Sequence, residues 1–217
     1  MPDERASPAA PRTLGVLAVQ GAFARHAEVL GGLGHAVRLI RDARDVAGLD
    51  GLVLPGGEST VQLDLIARLE LEPALLELIG SGRPVLATCA GLILLARGVS
   101  RPAQRSLGAL DVDVARNAYG RQLDSFEASS DELWPAESSA APADAAPAPL
   151  PLVFIRAPRI ERVGAGVEVL ARHRGEPVLV RQRNVTAATF HPELGADARV
   201  HAAVFGRAAP RPPAAQR

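Results

Sequence analysis

The chain has 217 residues, and its 24 Lys+Arg are balanced by 24 Asp+Glu for a formal net charge of +0. That length fits one domain able to bury roughly 70% of the surface its unfolded chain exposes. Every basic side chain is an arginine, and without a net positive charge a nucleic-acid partner is not expected. No apolar run approaches the ~20 residues of a membrane-spanning helix, so no membrane partner is expected. The N-terminal MPDERASPAAPRT lacks the apolar core of a signal peptide. A single cysteine, Cys89, excludes an internal disulfide framework and a multi-cysteine metal cage. The expectation is a soluble, cytoplasmic chain.

In chain order, residues 1–12 are rich in Pro, Ala and charge and read as a disordered tail. Leu14–Val19 (LGVLAV) is a buried-type strand, followed by a helical stretch over Phe23–Leu33. Strands are expected at Ala36–Ile40 and Gly51–Leu54, the latter ending at Pro55-Gly56-Gly57. Helices follow from about Ser59 to Leu69 and again after Pro73. Val85–Thr88 is a fourth strand, running at once into a helix over Ala90–Arg97. Residues 128–151 (ASSDELWPAESSAAPADAAPAPLP) read as a mobile surface loop, because Ala, Pro and Ser leave little to bury. Trp134 lies inside it, either as a local anchor or as a partner contact. Shorter, in part antiparallel strands are expected at Leu152–Ile155, Val167–Ala171, Val178–Arg181 and Ala187–Phe190. Residues 207–217 read as a second disordered tail, leaving one domain over 13–206. Continuously apolar strands alternating with amphipathic helices indicate an α/β fold, a mixed, mostly parallel central sheet flanked by helices. Ligands of such sheets bind at the carboxyl ends of the strands.

The residues with chemical potential fall at those ends. Cys89 stands where Val85–Thr88 turns into a helix, with small Ala87 and Gly91 two positions to either side. A nucleophile elbow needs such a turn, and a helix N-terminus favours thiolate; a lone cysteine can equally be a small buried hydrophobe. In His191-Pro192-Glu193 the proline pushes His191 toward extended dihedrals, which set residues i and i+2 on one side. The carboxylate can then fix the imidazole's tautomer and complete a Cys-His-Glu triad; alone, the triplet is also compatible with a surface turn. The Gly56-Gly57 pair lets backbone N–H groups approach a ligand and, with the N–H of Ala90, form an oxyanion hole. An ordinary turn with Ser59 as helix cap fits the same residues. The other histidines considered, His26, His35 and His173, show no metal-ligand spacing.

The PGGES turn, TCAG around Cys89 and the HPE triplet, in this order along the chain, resemble the class I (triad) glutamine amidotransferases. Within them, the similarity is greatest to the glutaminase subunits of pyridoxal 5'-phosphate synthase. GVLAVQGAFARHAEVL (15–30), LDGLVLPGGEST (49–60), PVLATCAGLILLA (84–96), LGALDVDVARNAYGRQLDSFE (107–127), VFIRAPRIERVG (153–164) and FHPEL (190–194) carry it. RNAYGRQ and FIRAP are its most specific strings. The chain departs from the pattern in the Ala/Pro segment before FIRAP, in its Pro-rich ends, and in Tyr119, where phenylalanine is expected.

The resemblance implies a flavodoxin-like, class I amidotransferase fold and hydrolysis of L-glutamine to L-glutamate and ammonia, with no cofactor and no metal. It implies Cys89 as nucleophile, His191 as acid and base, and Glu193 as its orienter. Main-chain N–H groups of Gly57 and Ala90 would hold the oxyanion; Gly57, Glu58, Ser59, Arg116, Ile155 and Arg156 match glutamine-binding positions. An arginine suits the substrate's α-carboxylate; a brace for the Asp124 or Glu127 region fits Arg116 as well, and a surface charge fits Arg156. The implied partner is a synthase subunit with a (β/α)8 barrel, in a large hetero-oligomer, which joins ammonia to ribose 5-phosphate and glyceraldehyde 3-phosphate to make pyridoxal 5'-phosphate. Gln20-Gly21-Ala22, at the same sheet edge as Cys89, is a candidate for the interface or for completing the oxyanion site. Three other readings compete: a glutaminase serving imidazole glycerol phosphate synthesis, an idle binding module, and a generic cysteine hydrolase.

Overall fold

The computed structural model describes residues 10–116, 125–134 and 146–207. Its central sheet has seven strands: β1 (Thr13–Leu17), β2 (Ala36–Ile40), β3 (Gly51–Leu54), β4 (Val85–Thr88), β10 (Glu168–His173), β11 (Glu176–Gln182) and β12 (Val185–Ala188), in the order β10-β11-β12-β4-β3-β1-β2. Strands β2, β1, β3, β4 and β12 run parallel, and β11 and β10 add an antiparallel edge. The expected mixed, mostly parallel sheet is what forms.

Why the parallel strands are apolar throughout is plain from where alternate residues go. Leu52, Leu54, Val85 and Ala87 enter one core with the helices α2 (Ser59–Arg68), α3 (Glu72–Gly80) and α4 (Ala90–Leu95). Leu14, Val16, Val53 and Leu86 enter the other, with Leu30 of α1 (Phe23–Gly32) and Val200 and Phe205 of α5 (Arg199–Phe205). Helices cover both faces, so neither face can be polar.

Three expectations are corrected. The helix after Cys89 stops at Leu95, and Ala96–Ser100 is a strand, β5, beside β6 (Leu110–Ala115), which in turn pairs with β9 (Arg159–Val163). Donors from outside the helix end it: Leu107 N–H bonds Leu94 O at 2.7 Å and Ser106 Oγ bonds Ala96 O at 2.7 Å. The second correction concerns the loop expected over 128–151. Both of its ends are strand, in the antiparallel pair β7 (Ser125–Trp134) and β8 (Ala148–Ile155). Pro149 and Pro151 alternate with Leu150 and Leu152, which point into the second core at 1% and 0% exposure. The prolines therefore stand on the exposed side, where a strand tolerates them, and Trp134 packs against the same core. Residues 135–145 lie outside the described residues. Third, Arg12, assigned to the tail, is held in the fold by hydrogen bonds from its N–H to His35 Nδ1 and from its guanidinium to Phe205 O. The rest of both expected tails lies outside the described residues, apart from Ala10, Pro11 and Arg207. No helix among the described residues is long and apolar enough to cross a membrane.

Candidate active site

Cys89 occupies the turn between β4 and α4 with φ 47° and ψ −101°, a left-handed backbone that side-chain-bearing residues rarely adopt. Its N–H bonds Ala188 O at 2.8 Å, tying the turn to the end of β12. Gly91 is required two residues on: a Cβ there would lie 2.1 Å from Leu54 O. The elbow read from the sequence thus forms, and it leaves Cys89 6% exposed, with Sγ 3.9 Å from Ile155 O.

The chain returns to the same place after β12. His191 donates its backbone N–H to Val153 O at 2.9 Å, and Leu194 N–H closes a turn on His191 O at 3.3 Å. The segment is a turn and not an extended run, yet it still brings His191 and Glu193 to one side. Nδ1 of His191 lies 2.7 Å from Glu193 Oε1. Burial works against charging this imidazole, but hydrogen bonds to Cys89 and Glu193 and their negative charge outweigh it, and its pKa is pushed up to about 10. The imidazole also abuts Gly56, where an added Cβ would lie 2.2 Å from His191 Cε1 and 3.3 Å from Cys89 Cβ. The cysteine meets an imidazole and carboxylate that lie more than a hundred positions further along the chain, above the carboxyl end of the sheet.

The Pro55-Gly56-Gly57-Glu58 turn is fixed from two sides. Gly56 N–H bonds Thr88 Oγ1 at 3.0 Å, and Glu58 N–H bonds the side-chain Oε1 of Gln20 at 2.9 Å. Gln62 Nε2 reaches Gln20 O and Pro55 O, and Ala22 N–H reaches Gly56 O at 3.0 Å. Glu58, not Ser59, caps α2, through Thr60 N–H. Ser59 is buried and donates from Oγ to Gln104 Oε1. Arg116 pairs with Glu58 at 2.9 Å, so among the described residues its brace is Glu58 and not Glu127; Asp124, Tyr119 and the remainder of RNAYGRQ lie outside them. Ile155 is 37% exposed beside the sulfur. Arg156 is exposed, with φ 43°, and makes no hydrogen bond or ion pair among the described residues.

Behind these lie three buried groups, His26, Thr88 and His201, of which only His26 drew a reading from the sequence, as a histidine without metal-ligand spacing. His26 lies 3.2 Å from Thr88 Oγ1, 3.3 Å from Glu193 Oε2 and 2.9 Å from Nε2 of His201. The signal was the position of His26 on the inner face of α1, one turn before Leu30. Among the described residues no group of three or more His, Cys, Asp or Glu is arranged to hold a metal ion.

The comparisons agree with this architecture. The family model of the SNO glutamine amidotransferases matches residues 16–208. The pyridoxal 5'-phosphate synthase subunit PdxT of Koribacter versatilis (strain Ellin345) is 47% identical over 87% of this chain and 91% of its own length. PdxT of Thermotoga neapolitana (strain ATCC 49049 / DSM 4359 / NBRC 107923 / NS-E) is 45% identical over 87% of this chain and 95% of its own. A crystal structure described as a glutamine amidotransferase superposes with a TM-score of 0.77 at 40% identity, covering 88% of this chain and 96% of the other. With the family model spanning most of its length and relatives this similar, the chain belongs to the SNO glutamine amidotransferase family.

Proposed function

We propose that this chain is the glutaminase subunit of a pyridoxal 5'-phosphate synthase. It hydrolyses L-glutamine to L-glutamate and ammonia and hands the ammonia to a synthase subunit for vitamin B6 biosynthesis. The observation that carries the reading is the His191–Glu193 contact of 2.7 Å beside Cys89 at its elbow.

In this reading the sulfur of Cys89 attacks the side-chain carbonyl carbon of glutamine. The N–H groups of Gly57 and Ala90 receive the oxyanion. The C–N bond then breaks as His191 gives its proton to the departing nitrogen, leaving a γ-glutamyl thioester and NH3. His191 next takes a proton from water, the hydroxide adds to the thioester, and the C–S bond breaks to release glutamate and restore the thiolate. An imidazole whose charged form is favoured suits the first proton transfer, and Glu193 stabilises it. Arg116 and Glu58, already paired, offer opposite charges to the α-carboxylate and α-ammonium of the substrate, beside Gly57, Ser59, Ile155 and Arg156.

Ammonia released into water at neutral pH is mostly protonated and no longer nucleophilic, so direct transfer is advantageous. The partner would be a (β/α)8-barrel subunit in a large hetero-oligomer, combining ammonia with ribose 5-phosphate and glyceraldehyde 3-phosphate. Gln20, which holds Glu58 N–H, lies where docking would act on the oxyanion turn. The hydrolysis calls for no cofactor, and a cytoplasmic location fits this role.

The test is glutamate release by wild type and Cys89→Ala, each alone and mixed with the synthase subunit. Cysteine-dependent release, raised by the partner, is expected. Equal release by both proteins would overturn the triad; release of glutamate with no ammonia incorporated into pyridoxal 5'-phosphate would overturn the partner assignment. Unchanged partner stimulation in Gln20→Ala would remove Gln20 from the docking response.

A further inference from the structure

Two buried imidazoles stand behind the His191–Glu193 pair and take no part in the proposed hydrolysis. His26 and His201 are both 0% exposed, their ring centroids 5.1 Å apart. Nδ1 of His26 is 2.9 Å from Nε2 of His201. The other nitrogen of His26, Nε2, is 3.2 Å from Thr88 Oγ1 and 3.3 Å from Glu193 Oε2.

Proton placement follows from the partners. Glu193 gives Oε1 to His191, and its buried Oε2 receives no aligned hydrogen bond from any described residue. A bare Nε2 on His26 would set a lone pair against that carboxylate, leaving buried charge uncompensated. A proton on Nε2 removes the conflict and fills the second acceptor site of Thr88 Oγ1, whose first already takes Gly56 N–H. Nδ1 of His26 must then accept, so His201 donates from Nε2. That leaves Nδ1 of His201 bare, and this atom is buried without a partner among the described residues. The opposite assignment would bury an N–H at that atom with no acceptor as well as set a lone pair against Glu193, and the burial that holds both imidazoles neutral agrees with the one chosen.

We propose that His26 is a positioning residue for the glutaminase centre: its Nε2–H, fixed by His201, is shared between Glu193 Oε2 and Thr88 Oγ1. One imidazole thereby sets both the orienter of His191 and, through Thr88, the Gly56-Gly57 turn. The inference rests on the Cys89–His191–Glu193 reading, because its kinetic consequence requires those residues to do the chemistry.

The test compares wild type, Cys89→Ala, His26→Leu and His26→Gln, each with the synthase subunit, for glutamine hydrolysis. His26→Leu should lower kcat by on the order of 10- to 100-fold, the scale of a small misplacement of reacting groups, with little change in KM. His26→Gln can place an amide N–H near the position of Nε2 and should recover most of the loss. A wild-type kcat in His26→Leu, or a folded His26→Gln as impaired as His26→Leu, would overturn the proposal. If His26→Leu does not fold, 15N NMR of the imidazoles in the wild-type chain decides: a proton on Nε2 and a bare Nδ1 are expected at His26, and the opposite tautomer would overturn it. Wild type no better than Cys89→Ala would instead sink the triad, an outcome the tautomer measurement does not depend on.

Discussion

Nδ1 of His191 and Oε1 of Glu193 meet at 2.7 Å in a wall where the two residues are 6% and 1% exposed. Water cannot replace the carboxylate there, so the amide of Glu193→Gln would remove a charge that nothing else restores. The imidazolium loses one of the partners that lift its pKa to about 10, and the alkaline limb of the pH–rate profile should move to lower pH. On the scale of orienting carboxylates in other triads, kcat should fall between about 10²- and 10⁴-fold with KM little altered. A kcat within a few-fold of wild type would show that Glu193 does not orient the base.

Two glycines make separable predictions. Gly56→Ala puts a Cβ 2.2 Å from His191 Cε1 and 2.9 Å from its Nδ1, so the ring must move. Gly91→Ala puts a Cβ 2.1 Å from the backbone oxygen of Leu54, which cannot swing aside. The first should lose activity with little loss of stability. The second should lose about 1–3 kcal/mol, as overpacking of a buried contact does. Thermal melts and glutamate release on both variants check the pair, and equal stability losses would refute the distinction.

How much of this was legible beforehand follows from which residues signal locally. The β1–β4 strands and their helices announce themselves by apolar runs of the right length, and the elbow by small residues flanking Cys89. His191 and Glu193 are neighbours in sequence, so their contact needed only the proline between them. β7 and the start of β8 escaped because alanines and prolines conceal the alternation that buries Leu150, and only Leu152–Ile155 reads as strand. His201 escaped for another reason: its partner His26 is 175 positions away, and the place of His26 on the inner face of α1 marks it as core without saying what it pairs with. Glu58 pairing with Arg116 is likewise a product of tertiary closure.

Those buried histidines govern the acid side of stability. His201 is held down to about 4 and His26 well below its ordinary 6.5, burial being the main cause in both. The folded chain therefore binds fewer protons than the unfolded chain as pH falls below 6.5, and stability declines with falling pH. For His201 the decline runs from 6.5 to about 4 and amounts to ~3 kcal/mol. His191 has the opposite sign: its raised pKa contributes stability that is fully present below 6.5 and is lost only as pH rises through about 10. Urea unfolding at pH 7 and pH 5 should show the acid loss, and His201→Gln should flatten it. An equally steep profile in that variant would place the acid sensitivity elsewhere.

Arg199 offers the last test, at the far end of the β7–β8 pair from the catalytic groups. Its guanidinium donates to Trp134 O at 3.2 Å, Ala148 O at 2.8 Å and Pro149 O at 2.9 Å, while Asp197 accepts from its Nε and Nη2. These carbonyls belong to both strands, and the side chain is only 13% exposed, so one planar fork ties the two strands together where Trp134 pairs with Ala148. A lysine keeps the charge but cannot present donors in that geometry. Arg199→Lys should therefore cost about 1–3 kcal/mol, and hydrogen–deuterium exchange should quicken over Ser125–Trp134 and Ala148–Ile155. Exchange there would quicken more than in β4, whose two edges are paired with β3 and β12. Unchanged exchange in both strands would mean that the bulged ladder and the burial of Leu150 and Leu152 hold the pair closed without the arginine.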